Sequence, residues 1–170
     1  MQNIFIMTTK NTIDSPRHHS LLFICLGNIC RSPAAEGVMR SMVHDAGRDD
    51  EFFIDSAGIG NWHVGQLPDA RMCSRGALRG YNFNSHARQL CAADFDRFDM
   101  LLVMDHDNYR IVCEKAPNDE ARSKVHMLTD HLVNHPEADV VPDPYYDSTA
   151  DFDYALDLVE DACQHLLDSL

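Results

Sequence analysis

Residues 20–33 read SLLFICLGNICRSP, an apolar run that passes through a glycine-bearing loop into a proline able to open a helix. The run 20–24 carries no polar interruption after Ser20, as expected of a strand buried on both faces. Ser32 reads as a helix N-cap and Pro33 as the first helical residue. A tight loop between a strand end and a helix start points backbone N–H groups at one spot and adds the positive end of the helix dipole. Such a junction is an anion site. Cys25 stands at its base and Arg31 on its rim.

These residue types fit attack on phosphorus. A free thiol is only about 3 % thiolate at neutral pH, and loop amides, a helix N-terminus and a fixed guanidinium all favour the anion. The planar fork of Arg31 matches two phosphate oxygens at once, which a lysine cannot do. With the amides from Leu26 through Ile29 and Cys30 to Ser32, it is placed to hold the equatorial oxygens during transfer. Gly27 permits an approach that a Cβ would block. Asn28 tolerates a left-handed backbone if its side chain is anchored, and Ser56, ending the strand-like FFIDS segment, is a candidate anchor. Ser32 can donate a hydrogen bond to the sulfur. Two other Cys-x5-Arg pairs, Cys73…Arg79 and Cys91…Arg97, lack the glycine loop after a strand and fall on or near helices, where such spacing separates the side chains.

An acid for the departing oxygen is offered far downstream. In VVPDPYYDS (140–148), Pro142 and Pro144 restrict the backbone around Asp143. Tyr145 and Tyr146 follow and can wall a cleft for an aryl group.

Apolar strands alternating with helices predict a single α/β domain of three layers, a doubly wound four-stranded parallel sheet with helices on both faces and the site at the carboxyl end of the first strand. Strands are expected at 20–25, 51–56, 98–104 and 124–128. Helices are expected at 33–46, 68–80, near 92–97, 106–115 and 149–168. The last carries an apolar stripe from Phe152 to Leu170 at helical spacing and should pack on the sheet. Residues 1–19 read as a polar, flexible extension with His18 and His19 solvated, and 20–170 as the domain.

The 170 residues carry a formal net charge of −13, which argues against nucleic acid or an anionic membrane as partner. Six cysteines at irregular spacing suggest free thiols in a reducing cytoplasm rather than a disulfide framework. No metal or cofactor is called for, and Cys113 and Cys163 read as core fillers. His131 and His135, four apart beside Asn134 and Pro136, read as flanking a helix end rather than binding metal.

Four segments resemble the low-molecular-weight protein tyrosine phosphatases: CLGNICRSPAAEGVMR (25–40), DSAGIGNWHVGQLPDARM (55–72), ARQL (87–90) and DPYY (143–146). The resemblance spans 20–170. It implies hydrolysis of phosphotyrosine through a phosphocysteine intermediate, with Cys25 as nucleophile, Arg31 as phosphate clamp and Asp143 as acid and then base. It implies that Asn28, Ser32 and Ser56 support the loop, and that Leu26, Trp62, Tyr145 and Tyr146 line the substrate cleft. Phosphotyrosine proteins are then the partners, and the chain a monomer or weak homodimer. By the same resemblance, Cys30 matches a second loop cysteine that can form a protective disulfide with Cys25. The sequence departs from the family where a histidine usually stands two positions before Ala-Arg-Gln. Here Ser85 holds that position and His86 falls one residue late, so either Ser85 substitutes or His86 swings into place.

Three other readings share parts of this pattern. An arsenate reductase would need relay cysteines that Cys91 lacks, and would leave DPYY unexplained. A phosphate-binding or redox-sensing protein without turnover would not need Cys25, Arg31 and Asp143 together. A protein-arginine phosphatase would be expected to carry a small polar wall in place of Trp62, Tyr145 and Tyr146.

Overall fold

The computed structural model describes residues 18–170; all but the last two residues of the expected extension lie outside that range. Strand β1 (His19–Cys25) is central to a sheet of four parallel strands. It pairs with β2 (Phe52–Gly58) on one side and β3 (Met100–Val103) on the other, and β4 (Val125–Met127) completes the order β2-β1-β3-β4. In register, Phe23 lies between Ser56 and Leu102, and Cys25 pairs with Gly58 at the sheet's carboxyl edge.

Side chains of β1 alternate between two cores, as a strand buried on both faces requires. Leu21, Phe23 and Cys25 join α1 (Arg31–Asp45) and α6 (Thr149–Ser169) on one face. Leu22 and Ile24 join Phe95 of α3 (Asp94–Arg97), Val112 of α4 (His106–Lys115) and Ala121 of α5 (Asp119–Ser123) on the other. Helix α2 (Ala70–Leu78) lies against α6. These two cores make the three layers that the alternation of elements predicts.

Two details differ from the sequence expectations. Helix α1 starts at Arg31, and Cys30, not Ser32, is its N-cap, with no side-chain cap. The Ser32 hydroxyl is turned inward instead, toward Cys25 and Asn28. Helix α6 lies along α1 and, as expected, turns its stripe into the core it shares with Leu21, Phe23 and Leu102 of the sheet. Finally, α5 was not expected: Asn118 caps it by accepting from the Ala121 amide at 2.8 Å, but five residues are too few for a periodic signal. Elsewhere element ends move by a few residues, and α6 opens with a reciprocal Ser148–Asp151 capping box. Cys163 is fully buried and Cys113 partly so, beside the second core.

Candidate active site

The loop from Cys25 to Arg31 wraps the carboxyl end of β1. The β2–α2 connection holds it by its backbone: Ile59 N donates to Cys25 O at 3.0 Å, Gly60 N to Leu26 O at 2.9 Å, and Asp69 N to Ile29 O at 2.7 Å. Asn28 has φ 57°, the one non-glycine residue with positive φ among those described. A residue so placed persists only when its surroundings over-determine it. Here the Asn28 carbonyl oxygen accepts from Arg88 N at 3.0 Å, while its amide nitrogen donates to Ser32 Oγ at 2.7 Å and Ser56 Oγ at 2.9 Å. Ser32 Oγ in turn lies 3.0 Å from Cys25 Sγ. The anchor anticipated at Ser56 is present.

Arg31 is 2 % exposed. One Nη1 donates to Asp105 Oδ2 at 2.7 Å and to Val141 O at 3.0 Å, and Nη2 lies 3.5 Å from Asp143 Oδ2. Burial works against its charge, but the Cys25 sulfur, Asp105 and Asp143 outweigh it and push its pKa above the ordinary value. Asp105, beyond the end of β3, also caps α4 by accepting from Asn108 N at 2.7 Å. One carboxylate thus fixes both a helix start and the guanidinium. Sequence reading missed it, although a carboxylate just past the strand beside β1 is where a doubly wound sheet places site residues.

Asp143 sits on the far side of Arg31. Val141 N donates to Met104 O at 2.8 Å, pinning the loop that carries Asp143 to the end of β3, and Tyr145 N donates to Asp143 Oδ1 at 3.1 Å. Pro144 is buried, whereas Pro142 is exposed. The Tyr145 and Tyr146 rings meet edge-on at 4.8 Å, and Arg71 donates to Tyr145 O at 2.9 Å with its guanidinium over that ring. Trp62 lies across the opening, its ring passing over Gly60, where a Cβ would collide with it. A Cβ on Gly27 would come within 3.0 Å of His63 Cδ2. The two glycines therefore let the wall close onto the loop. The resulting cleft of about 400 Å³ has Cys25, Cys30 and Arg31 at its base and Leu26, Trp62, His63, Asp143, Tyr145 and Tyr146 around it. Every residue singled out for catalysis or the cleft wall borders it; His63 is the addition.

Beneath the loop lie further residues unforeseen in the sequence. Glu36 of α1, 3 % exposed, accepts from Ser56 Oγ at 3.3 Å and from Arg40 Nη2 at 3.2 Å. Burial raises its pKa, and hydrogen bonds from Ser85 and Arg40 offset part of that. Ser85 lines the same cleft as Glu36, while His86 is exposed. Arg88 forks onto Asp94, with both contacts at 3.0 Å, and reaches Asp55 at 2.9 Å. Cys30 has its thiol pushed up by burial, then by Asp69 and the neighbouring Cys25. The two decoys stay apart from this chemistry: Arg79 pairs with Asp157 and Glu160, and Arg97 lies over Phe53 and Phe98. His135 is spent on Asp161, at 3.0 Å.

The sequence pattern of the low molecular weight phosphotyrosine protein phosphatases matches residues 20–170. The chain belongs to that family. A Synechocystis protein named for the low molecular weight protein-tyrosine-phosphatases is 46 % identical over 150 residues, 88 % of this chain and 95 % of that one. The pig low molecular weight phosphotyrosine protein phosphatase is 37 % identical over 153 residues, 89 % of this chain and 95 % of its own. In structure, the chain is similar to a protein tyrosine phosphatase of Entamoeba histolytica, with TM-score 0.86 and 38 % identity over 89 % of this chain and 96 % of that one. The phosphatase fold seen in that relative and the four-stranded sheet described above are the same architecture.

Proposed function

We propose that this family member is a protein tyrosine phosphatase in which Cys25 is the nucleophile, Arg31 the phosphate clamp and Asp143 the acid and base. In the first half-reaction the Cys25 sulfur attacks phosphorus, the P–O bond to the tyrosine breaks, and Asp143 delivers its proton to the leaving oxygen. In the second, Asp143 takes a proton from water, the water oxygen attacks phosphocysteine, and phosphate departs with the sulfur again an anion. Arg31 and the loop amides hold the three equatorial oxygens throughout. The observation that carries this reading is the convergence of three groups on one cleft: a sulfur 3.0 Å from a buried hydroxyl, a guanidinium braced by Asp105, and a carboxyl 3.5 Å from that guanidinium.

The aromatic wall supports phosphotyrosine over shorter phosphoesters, because Tyr145, Tyr146 and Trp62 offer apolar area that an aryl group can cover. A hydrolysis profile over phosphotyrosine, phosphoserine and phosphoarginine peptides, with EDTA present, tests the assignment. Phosphotyrosine should be hydrolysed far faster than the others, with no loss to the chelator. Preference for phosphoarginine would overturn it.

Cys30 beside Cys25 adds a route to redox control. Peroxide would transfer one oxygen to the Cys25 thiolate, giving a sulfenic acid and hydroxide. The Cys30 thiol would then displace water from it to close a disulfide, and an added thiol would reopen the bond. The raised pKa of Cys30 supports its waiting as a thiol rather than competing for the substrate. Free cysteines and the acidic balance favour a cytoplasmic enzyme acting on phosphotyrosine proteins as a monomer or weak homodimer, without nucleic acid or membrane partners. No helix among the described residues is long and apolar enough to cross a membrane.

A further inference from the structure

The hydrogen-bond chain under the loop has a fixed direction. The Asn28 carbonyl oxygen faces a backbone donor, Arg88 N at 3.0 Å, so its amide nitrogen must face the two serines. An amide nitrogen only donates. Ser32 Oγ and Ser56 Oγ therefore both accept from Asn28, at 2.7 and 2.9 Å, and each has one proton left to give. For Ser32 the near acceptor is Cys25 Sγ at 3.0 Å, with Ala57 O more distant at 3.5 Å. For Ser56 the acceptor is Glu36 Oε2 at 3.3 Å. Asn28, Ser32, Ser56 and Glu36 are all buried.

We propose that Glu36 is a positioning residue: by accepting the Ser56 proton it keeps Ser56 Oγ an acceptor for the Asn28 amide, and so, together with Arg88 N, steadies the chain that aims the Ser32 proton at the Cys25 sulfur. Without that acceptor, Ser56 holds an unsatisfied buried donor, which is costly. With Asn28 held by Arg88 N, the Ser56 hydroxyl then relieves that cost by rotating away from the Asn28 amide, which loosens the amide that orients Ser32 and weakens the Ser32–sulfur contact. The sulfur needs that donor both as attacking anion and as leaving group, so the inference rests on the cysteine mechanism above. Charged and titratable groups around Glu36 are Arg40 on its own helix and Asp55 on β2, the latter held by Arg88. A cleft of about 610 Å³ behind the loop, lined also by His44, Asp49 and Ser85, reaches Glu36 from outside.

Direction separates this role from simple charge. Removing a nearby negative charge would by itself favour the thiolate, whereas removing the acceptor withdraws a donor from it. Glu36→Met, Glu36→Gln and wild type are compared in turnover of an aryl phosphate and in the rate of Cys25 alkylation by iodoacetamide at a fixed acidic pH, with thermal unfolding as control. Glu36→Met is expected to lower kcat about tenfold and to slow alkylation by a similar factor, the worth of one hydrogen bond to a charged group. Glu36→Gln, which keeps an acceptor oxygen, should recover most of both. In a Ser56→Ala background, Glu36→Met should cost nothing further.

Unchanged or faster alkylation in Glu36→Met, or losses that add to those of Ser56→Ala, would overturn the proposal. If Glu36→Met does not fold, Glu36→Asp carries the test. It keeps the charge but draws the acceptor back by one methylene, so losses like those expected of the methionine are predicted and wild-type kinetics would refute the role. Alkylation needs no turnover, so an inactive wild type would refute the enzymatic reading without deciding this one.

Discussion

The base of the cleft and its outer wall are built in opposite ways. Asn28, Arg31 and Ser32 are at most 2 % exposed, and their polar groups are paired with one another, with Asp105 or with the backbone. Across the opening, Trp62 is 63 % and Tyr146 92 % exposed, and Tyr145 is held chiefly through its backbone and Arg71. A buried, mutually satisfied network has one arrangement, since any change orphans a partner. An exposed aromatic wall can change shape at little cost. On the proposed assignment, transition-state chemistry falls where the fold is rigid and substrate choice where it is permissive.

Breaking the base should be far costlier than breaking the wall. Cys25→Ser should abolish turnover while phosphate still binds; substantial remaining hydrolysis would contradict the nucleophile. Arg31→Lys, which keeps charge but loses the planar fork, should lower kcat/KM on the order of a thousandfold. A drop of only a few-fold would mean that Asp105 and the amides suffice. Asp143→Ala, at the boundary between the two regions, should slow esters with poor leaving groups by about a hundredfold or more and nitrophenyl phosphate far less. Equal losses on both substrates would remove its acid role.

The next effect down is on stability. Asp94 is fully buried; burial opposes its ionisation, but the Arg88 fork and the Cys91 amide hold its carboxyl below the usual range. Its contribution is therefore present above the ordinary carboxylate pKa of about 4 and is lost as pH falls through the depressed value. Asp94→Asn should cost about 2 kcal/mol at neutral pH, and denaturant melts should show the gap narrowing in acid. The wall should give the smallest response. Trp62→Ala is expected to raise KM for phosphotyrosine peptides about threefold with kcat unchanged. A large kcat loss there would mean that the wall, too, is part of the rigid machinery.

What the sequence reveals follows the same division. The loop was legible because its determinants are contiguous: an apolar strand, Gly27, Asn28 and a helix start within a dozen residues. Asp143 was legible through its prolines. Asp105 and Glu36 were not, because each acts across the fold, one from the strand beside β1 and the other from inside α1. Glu36 does break the apolar run of Ala34, Ala35, Val38 and Met39, the one local trace of its burial. Ser32 misled for the same reason: its sequence position suits a cap, but its hydroxyl is claimed by tertiary partners. Whether Ser85 or His86 meets the network depends on backbone direction, which spacing alone does not carry.

The covalent intermediate is the most direct test of the account. Asp143→Ala protein turning over nitrophenyl phosphate, whose leaving group needs little help, should stall at the second half-reaction and accumulate phosphoenzyme. After an acid quench and peptide mapping by mass spectrometry, the phosphoryl group should be found on the peptide bearing Cys25, at its sulfur. Turnover with no phosphorylated peptide, or with phosphate on another residue, would contradict the account at its centre.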